Sequence, residues 1–178
     1  AMGALVRATR TLSFIGIKQG MLTSDGVDGV GQLDCDPLGV MPEETLQAAA
    51  ERIDYPGLKH LLTPRQRSAH KGSHGNVLLA GGNVGMQGAI VLAGLACLRA
   101  GAGLVRVCQH PSHGPVSLYQ AELMNSVIDT NEYWASVRLV GPGLGQDEWG
   151  RRHFELLVND SLPLVLDADG LNWLALCP

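Results

Sequence analysis

From Asn76 onward the chain alternates short, unbroken apolar runs with longer mixed ones. Val77 to Ala80 predicts a strand covered on both faces, because a parallel strand between helix layers reads as continuously apolar rather than alternating. Gln87 to Ala100 predicts a helix stopped by Gly101, and Leu104 to Val107 a second strand. A weaker signal surrounds Glu122-Leu123-Met124. Val137 to Val140 then predicts a strand, Glu148 to Val158 a helix, Leu164 to Leu166 a strand, and Gly170 to Leu176 the opening of another helix. Repeated strand-loop-helix units imply an α/β fold with a mostly parallel sheet and right-handed crossovers.

The chain before Asn76 follows a different pattern. Ala1-Met2 looks like a remnant of tag removal. Thr9 to Lys18 has the apolar and β-branched alternation of a strand, and Asp25-Gly26, Asp28-Gly29 and Val30-Gly31 mark successive turns. Residues 3–40 thus offer one or two strands and no core of their own. Glu43, Glu44, Leu46 and Ala48 to Ala50 favour a helix that Pro42 starts and Pro56-Gly57 ends. Thr63-Pro64-Arg65-Gln66-Arg67 is a polar connector that marks a junction. The resulting division is 1–45 as a leading piece and linker, and 46–178 as the α/β part.

Composition narrows the function. With 178 residues and 46% apolar content, the chain can bury a core. A net charge of -4, no evident basic stripe and 4% aromatic residues argue against nucleic-acid binding. The apolar run from Ala89 to Leu98 is too short to span a bilayer, which needs roughly 20 residues. The first 25 residues lack a signal-peptide core, so neither a membrane nor a secreted location is expected and a cytoplasmic one is. Cys35, Cys97, Cys108 and Cys177 show no paired spacing and read as reduced, mostly buried thiols.

The candidate chemistry lies where strands run into helices. Ligands of parallel sheets bind beyond the carboxyl ends of the strands. Gly81-Gly82-Asn83-Val84-Gly85-Met86-Gln87-Gly88 and Gly141-Pro142-Gly143-Leu144-Gly145 both follow predicted strands. Glycine there lets the backbone approach a ligand, and free amides at a helix start attract anions. Neither loop has the spacing of a dinucleotide fingerprint or a phosphate loop. Asp167 and Asp169 fall on one side if the strand before them continues; they suit water-bridged Mg²⁺, a substrate hydroxyl, or a cap for the helix near Gly170. Asn172 lies in that helix's first turn, and Lys71 stands before the first core strand, where it could meet a phosphate. The pairs His70/His74 and His110/His113 lack a third ligand, so no metal site is expected.

Taken in order, His70 to Gly75, Gly81 to Ala89, Leu98 to Val105, Gly141 to Gly145 and Asp167 to Asn172 resemble the ADP-dependent NAD(P)H-hydrate dehydratases. That resemblance implies a ribokinase-like three-layer sandwich, of which this chain holds the first half. Ala8 to Thr23, Gly31-Gln32 and Asp36 to Val40 resemble the last strand and tail of the NAD(P)H-hydrate epimerase domain that precedes the dehydratase in bifunctional members. The implied reaction is repair of hydrated NADH or NADPH, with ADP as phosphoryl donor and Mg²⁺ as its partner; K⁺ is implied for the epimerase part. Ala89, Gly143 and Gly145 are implied to contact the hydrated nicotinamide. Gly82, Gly85, Gly88, Lys71, Asp167, Asp169 and Asn172 are implied in support. The family's catalytic Gly-Asp pair is expected beyond Pro178, so this chain alone is expected to be inactive. Gly170 replaces an alanine usual in that motif.

Two other readings are a superfamily kinase of a vitamin-like alcohol and a non-catalytic oligomerisation module. A homo-oligomer is expected, because an incomplete sheet leaves an edge. The main reading requires the two glycine loops to form opposite walls of one pocket.

Overall fold

The computed structural model describes residues 4–40, 48, 50–128, 134–159 and 161–176. The chain separates into two compact units, 1–64 and 65–178. The division falls inside the Thr63–Arg67 connector.

In the first unit, β1 (Arg10–Phe14) and β2 (Gln32–Asp36) pair in parallel, in register from Arg10 with Gln32 to Phe14 with Asp36. The arc between them is tied by Lys18, whose Nζ donates to the carbonyls of Phe14 at 2.7 Å and Gly16 at 2.9 Å. Among the described residues here the buried positions are Ser13, Gly26 and Gly29, with no large apolar side chain among them. Residues 42–47 and 49 of the helix expected from Pro42 to Pro56 lie outside the described residues, and residues 50–54 are not helical. Pro56 and Gly57 instead lie within a helical turn, Tyr55–Leu58. Proline suits a first turn because its missing N–H is not needed there, and Asp54 Oδ1 caps the turn by accepting from Gly57 N at 2.9 Å.

The second unit is a three-layer sandwich. Its strands are β3 (Asn76–Ala80), β4 (Leu104–Cys108), β5 (Leu123–Asn125), β6 (Val137–Val140) and β7 (Leu164–Leu166). They lie in the order β5-β4-β3-β6-β7, all parallel. The helices are α1 (Gln87–Ala100), α2 (Glu148–Val158) and α3 (Asp169–Leu176). Alternate strand residues face opposite sides. Leu79, Val105 and Val107 pack against Ile90 and Val91 of α1, whereas Leu78, Ala80 and Val140 pack against Phe154 and Leu157 of α2. Trp173 of α3 joins the second cluster.

α1 ends where Gly101 adopts a left-handed φ of 109° and its N–H returns to Leu98 O at 3.1 Å. α2 begins at Asp147, whose side chain accepts from Gly150 N at 2.9 Å. No helix of the described residues is long and apolar enough to cross a membrane. The cysteine expectation fails at Cys35, which is exposed; Cys97 is half-buried and Cys108 buried.

Candidate active site

Because β3 and β6 are neighbours, the loops leaving their carboxyl ends meet. They meet as a main-chain seam and not as opposite walls across a gap. Gly82 N donates to Pro142 O at 3.0 Å and Asn83 N to Gly143 O at 2.6 Å. The seam requires glycine most plainly at Gly141, where φ is 132° and any Cβ would strike the Asp167 carbonyl.

Asn83 locks the arrangement from inside. Only 3% exposed, it donates through Nδ2 to Leu144 O at 3.0 Å and Asp147 Oδ1 at 2.8 Å. Its Oδ1 accepts from Val84 N at 2.7 Å, and its carbonyl accepts from His113 Nε2 at 2.9 Å. The Gly150 amide, with Asn83 assisting, holds the Asp147 carboxyl below its ordinary value. Sequence reading passed over Asn83 because its partners lie far along the chain. Asp147, before a helical run, did carry a local signal as a helix cap.

The far side of the second loop is held by α3. Asp169 Oδ2 accepts from Gly145 N at 2.9 Å, and Trp173 Nε1 donates to Gly145 O at 2.9 Å. Asp169 therefore neither caps its own helix nor extends the strand. The chain bends at Ala168, with φ of 48°, before α3 begins. Asp167 is exposed, and Asn172 is spent on Asp169 Oδ1 at 3.2 Å.

Among the implied contact residues, the structure joins Ala89 and Gly143: a Cβ built on Gly143 would lie 3.2 Å from the Ala89 Cβ. Gly145 sits beside them with both main-chain groups already bonded. The amides of Gly85, Gln87, Gly88 and Gly143 have no acceptor among the described residues. Two of them, Gln87 and Gly88, open α1, a natural place for a polar or anionic ligand. Gly82 is buried within the seam, while Gly85 and Gly88 are exposed. Lys71 is not brought here, since it precedes β3 and lies a whole strand length from the loops.

A recess of about 430 Å³ borders the first loop at the ends of β4 and β5, lined by Gln109, His110, His113, Asn125 and Ser126 among others. His110 N donates to Gly82 O at 3.1 Å, which fixes the recess to the seam. The His110 ring stands edge-on to Trp149, 5.4 Å between centroids, and Trp149 lies 4.1 Å from His153. Burial pushes the His153 imidazole below its usual value, against a bond from Nδ1 to Trp149 O at 2.7 Å. Among the described residues, no group of three or more His, Cys, Asp or Glu side chains is placed to hold a metal ion.

This arrangement has counterparts in known proteins. The family model for NAD(P)H-hydrate dehydratase matches residues 77–177. A bifunctional NAD(P)H-hydrate repair enzyme of Escherichia coli K12 is 41% identical over 187 residues, covering 99% of this chain and 36% of that enzyme. A ribokinase-like superfamily protein of Enterococcus faecalis superposes with a TM-score of 0.62 at 28% identity, covering 76% of this chain and 51% of that one. The ADP/ATP-dependent NAD(P)H-hydrate dehydratase of Bacillus subtilis, co-crystallised with ATP/Mg²⁺, gives 0.52 at 27% identity, covering 62% and 43%. The chain spans little more than a third of the length of the bifunctional relatives it matches. The expected ribokinase-like α/β architecture is therefore present in part, and the chain belongs to the NAD(P)H-hydrate dehydratase family.

Proposed function

We propose that this chain supplies the substrate-holding half of an enzyme that dehydrates hydrated NADH or NADPH back to the reduced cofactor. The observation that carries the reading is the seam between loops 81–89 and 141–145, which leaves unbonded amides at Gly85, Gln87, Gly88 and Gly143 beside Ala89. An uncharged, glycine-lined surface suits a carboxamide-bearing ring, which needs close approach and main-chain hydrogen bonds more than ion pairs. Ala89 and Gly143 contact the ring, and Gly145 holds the loop through Asp169 and Trp173. Residues 1–45 belong to the tail of an epimerase-like part and its linker, and a K⁺ requirement would lie in that part.

ADP with Mg²⁺, when bound, supplies the phosphoryl group that converts a poorly leaving hydroxyl into a good leaving group. The described residues fit these groups only in part. Asp167, which makes no side-chain hydrogen bond among them, would meet the ion through water, and the amides opening α1 would meet phosphate oxygens. The catalytic Gly-Asp pair is expected outside this sequence, so the chain alone binds without turning over. A homo-oligomer belongs to the same proposal.

The test replaces the matching segment of the Escherichia coli enzyme with this chain. The hybrid should restore dihydronicotinamide absorbance from hydrated NADH only when ADP is present. Gly143→Val in the hybrid should lower kcat/KM by about 100-fold, the scale for a misplaced substrate. A well-folded hybrid that leaves hydrated NADH untouched would overturn the reading. The family match over residues 77–177 does not favour a vitamin-alcohol kinase or a non-catalytic module.

A further inference from the structure

The net charge of -4 conceals a segregation along the chain. Between Asp54 and Glu122 there is no acidic side chain, but there are six Lys or Arg and five His. The rest of the chain holds all 17 acidic residues and only seven of the 13 basic ones. Four of those basic groups converge in space. Arg65, His70, Lys71 and His74 line a recess of about 260 Å³, closed by Ala102 and Gly103. It lies at the amino ends of β3 and β4, opposite the glycine loops.

We propose that this recess is a second ligand site, which binds a diphosphate group. Its charged side chains can only donate. Arg65 Nη2 donates to Gly101 O at 3.1 Å, which steadies the guanidinium and leaves its other N–H groups for a ligand. His70 Nδ1 accepts from Gly72 N at 3.2 Å, so the ring proton sits on Nε2. Neither Arg65 nor Lys71 is paired with a carboxylate among the described residues. A lining in which Arg65 and Lys71 supply positive charge and donors, with no carboxylate beside them, selects a ligand rich in acceptor oxygens and negative charge.

The backbone beneath the cluster is fixed before any ligand arrives. Ser73 Oγ donates to His70 O at 2.7 Å and accepts from His70 N at 3.1 Å, which folds residues 70–73 into one turn. Gly103 N donates to Gly75 O at 3.0 Å, and a Cβ on Gly103 would strike the Lys71 carbonyl. Little backbone ordering entropy then remains to be lost on binding. The volume is below the 300–1,000 Å³ usual for whole small-molecule pockets, so a diphosphate fits inside while any attached nucleoside stays outside. Free pyrophosphate and the diphosphate of a nucleotide share this chemistry.

The test titrates the 178-residue chain with inorganic pyrophosphate at fixed ionic strength, by calorimetry and amide-resolved NMR. One pyrophosphate per chain should bind and shift the Gly72, Ala102 and Gly103 resonances. Lys71→Gln and Arg65→Gln should each weaken binding by about tenfold, the scale of one charge-assisted hydrogen bond, while Lys71→Arg retains it and Arg152→Gln leaves it unchanged. A parallel ADP titration separates the sources: movement of the same three amides means a nucleotide is accepted, and movement of loop amides alone means the recess takes only free diphosphate. Unmoved Gly72, Ala102 and Gly103 amides at millimolar pyrophosphate, or wild-type affinity in both glutamine variants, would overturn the proposal. Both glutamine changes are at exposed positions, and dispersed spectra check that each variant folds. The outcome is independent of the dehydratase reading, whose residues lie at the other end of the sheet.

Discussion

Residues 10–36 and residues 76–166 both contain parallel strands, yet they differ in what covers them. In β3, β4 and β6 the inward side chains on both faces are closed by helices, and Leu78, Leu79, Val105, Val107 and Val140 lose all contact with water. In β1, Leu12 stays 51% exposed and Phe14 48%. Parallel strands owe their stability to cover on both faces, since the pairing itself contributes less than helix packing. The contrast teaches that the second unit carries its own core, whereas the described residues of the first hold strand pairing without one.

The largest effect that would break this contrast is at Phe154, 1% exposed between α2 and the sheet. Phe154→Ala should cost the second unit about 3–5 kcal/mol, read from denaturant unfolding followed by tryptophan fluorescence. A loss under about 1 kcal/mol would mean the core is not where the contrast puts it. Asn83→Ala comes next. It removes two side-chain donors and strands the buried Leu144 carbonyl, so a loss of about 2–3 kcal/mol is expected, with faster amide exchange confined to the two glycine loops.

A smaller effect follows from pH. The folded His153 sits below its ordinary value, so the unfolded chain binds the proton more readily. Stability is therefore full above about pH 6.5 and falls as pH drops through that range. Asp147 adds a second loss below about pH 4, because its carboxyl is held down in the folded state. Thermal unfolding from pH 8 to 3 should show both steps, and His153→Gln should abolish only the upper one. Phe14→Ser should be the mildest change, within about 0.5 kcal/mol for unfolding of the second unit.

Much of this architecture was legible because its signals are local. Glu148–Val158 is bounded by an aspartate cap before it and a polar segment after it, and the sequence places both ends where the structure does. The glycine loops are legible for the same reason, as turns between an apolar run and a helix. The helix across residues 42–56 was misplaced at its end because proline was read as a stop where it begins a turn. What could not be read is side chains reaching distant backbone. Asn83 bonds Leu144 across 61 positions, Trp173 bonds Gly145 across 28 and Asp169 bonds Gly145 across 24. No local pattern encodes such distances, because they depend on which strands become neighbours. Lys71 shows the converse, since its place before a strand was clear but the end of the sheet it serves was not.

The adjacency of β3 and β6 has a consequence for synthesis. Val77 pairs with Val137, and Gly82 and Asn83 lean on main-chain groups made still later. At roughly 5–20 residues per second, translation leaves one border of β3 bare for several seconds after that strand has emerged. Through that interval the Asn83 amide lacks Leu144 and Asp147, so the rim that would receive a ligand cannot take shape until those residues have been made. Slowing the ribosome over residues 81–140 should lengthen the time in which chaperones can capture the chain.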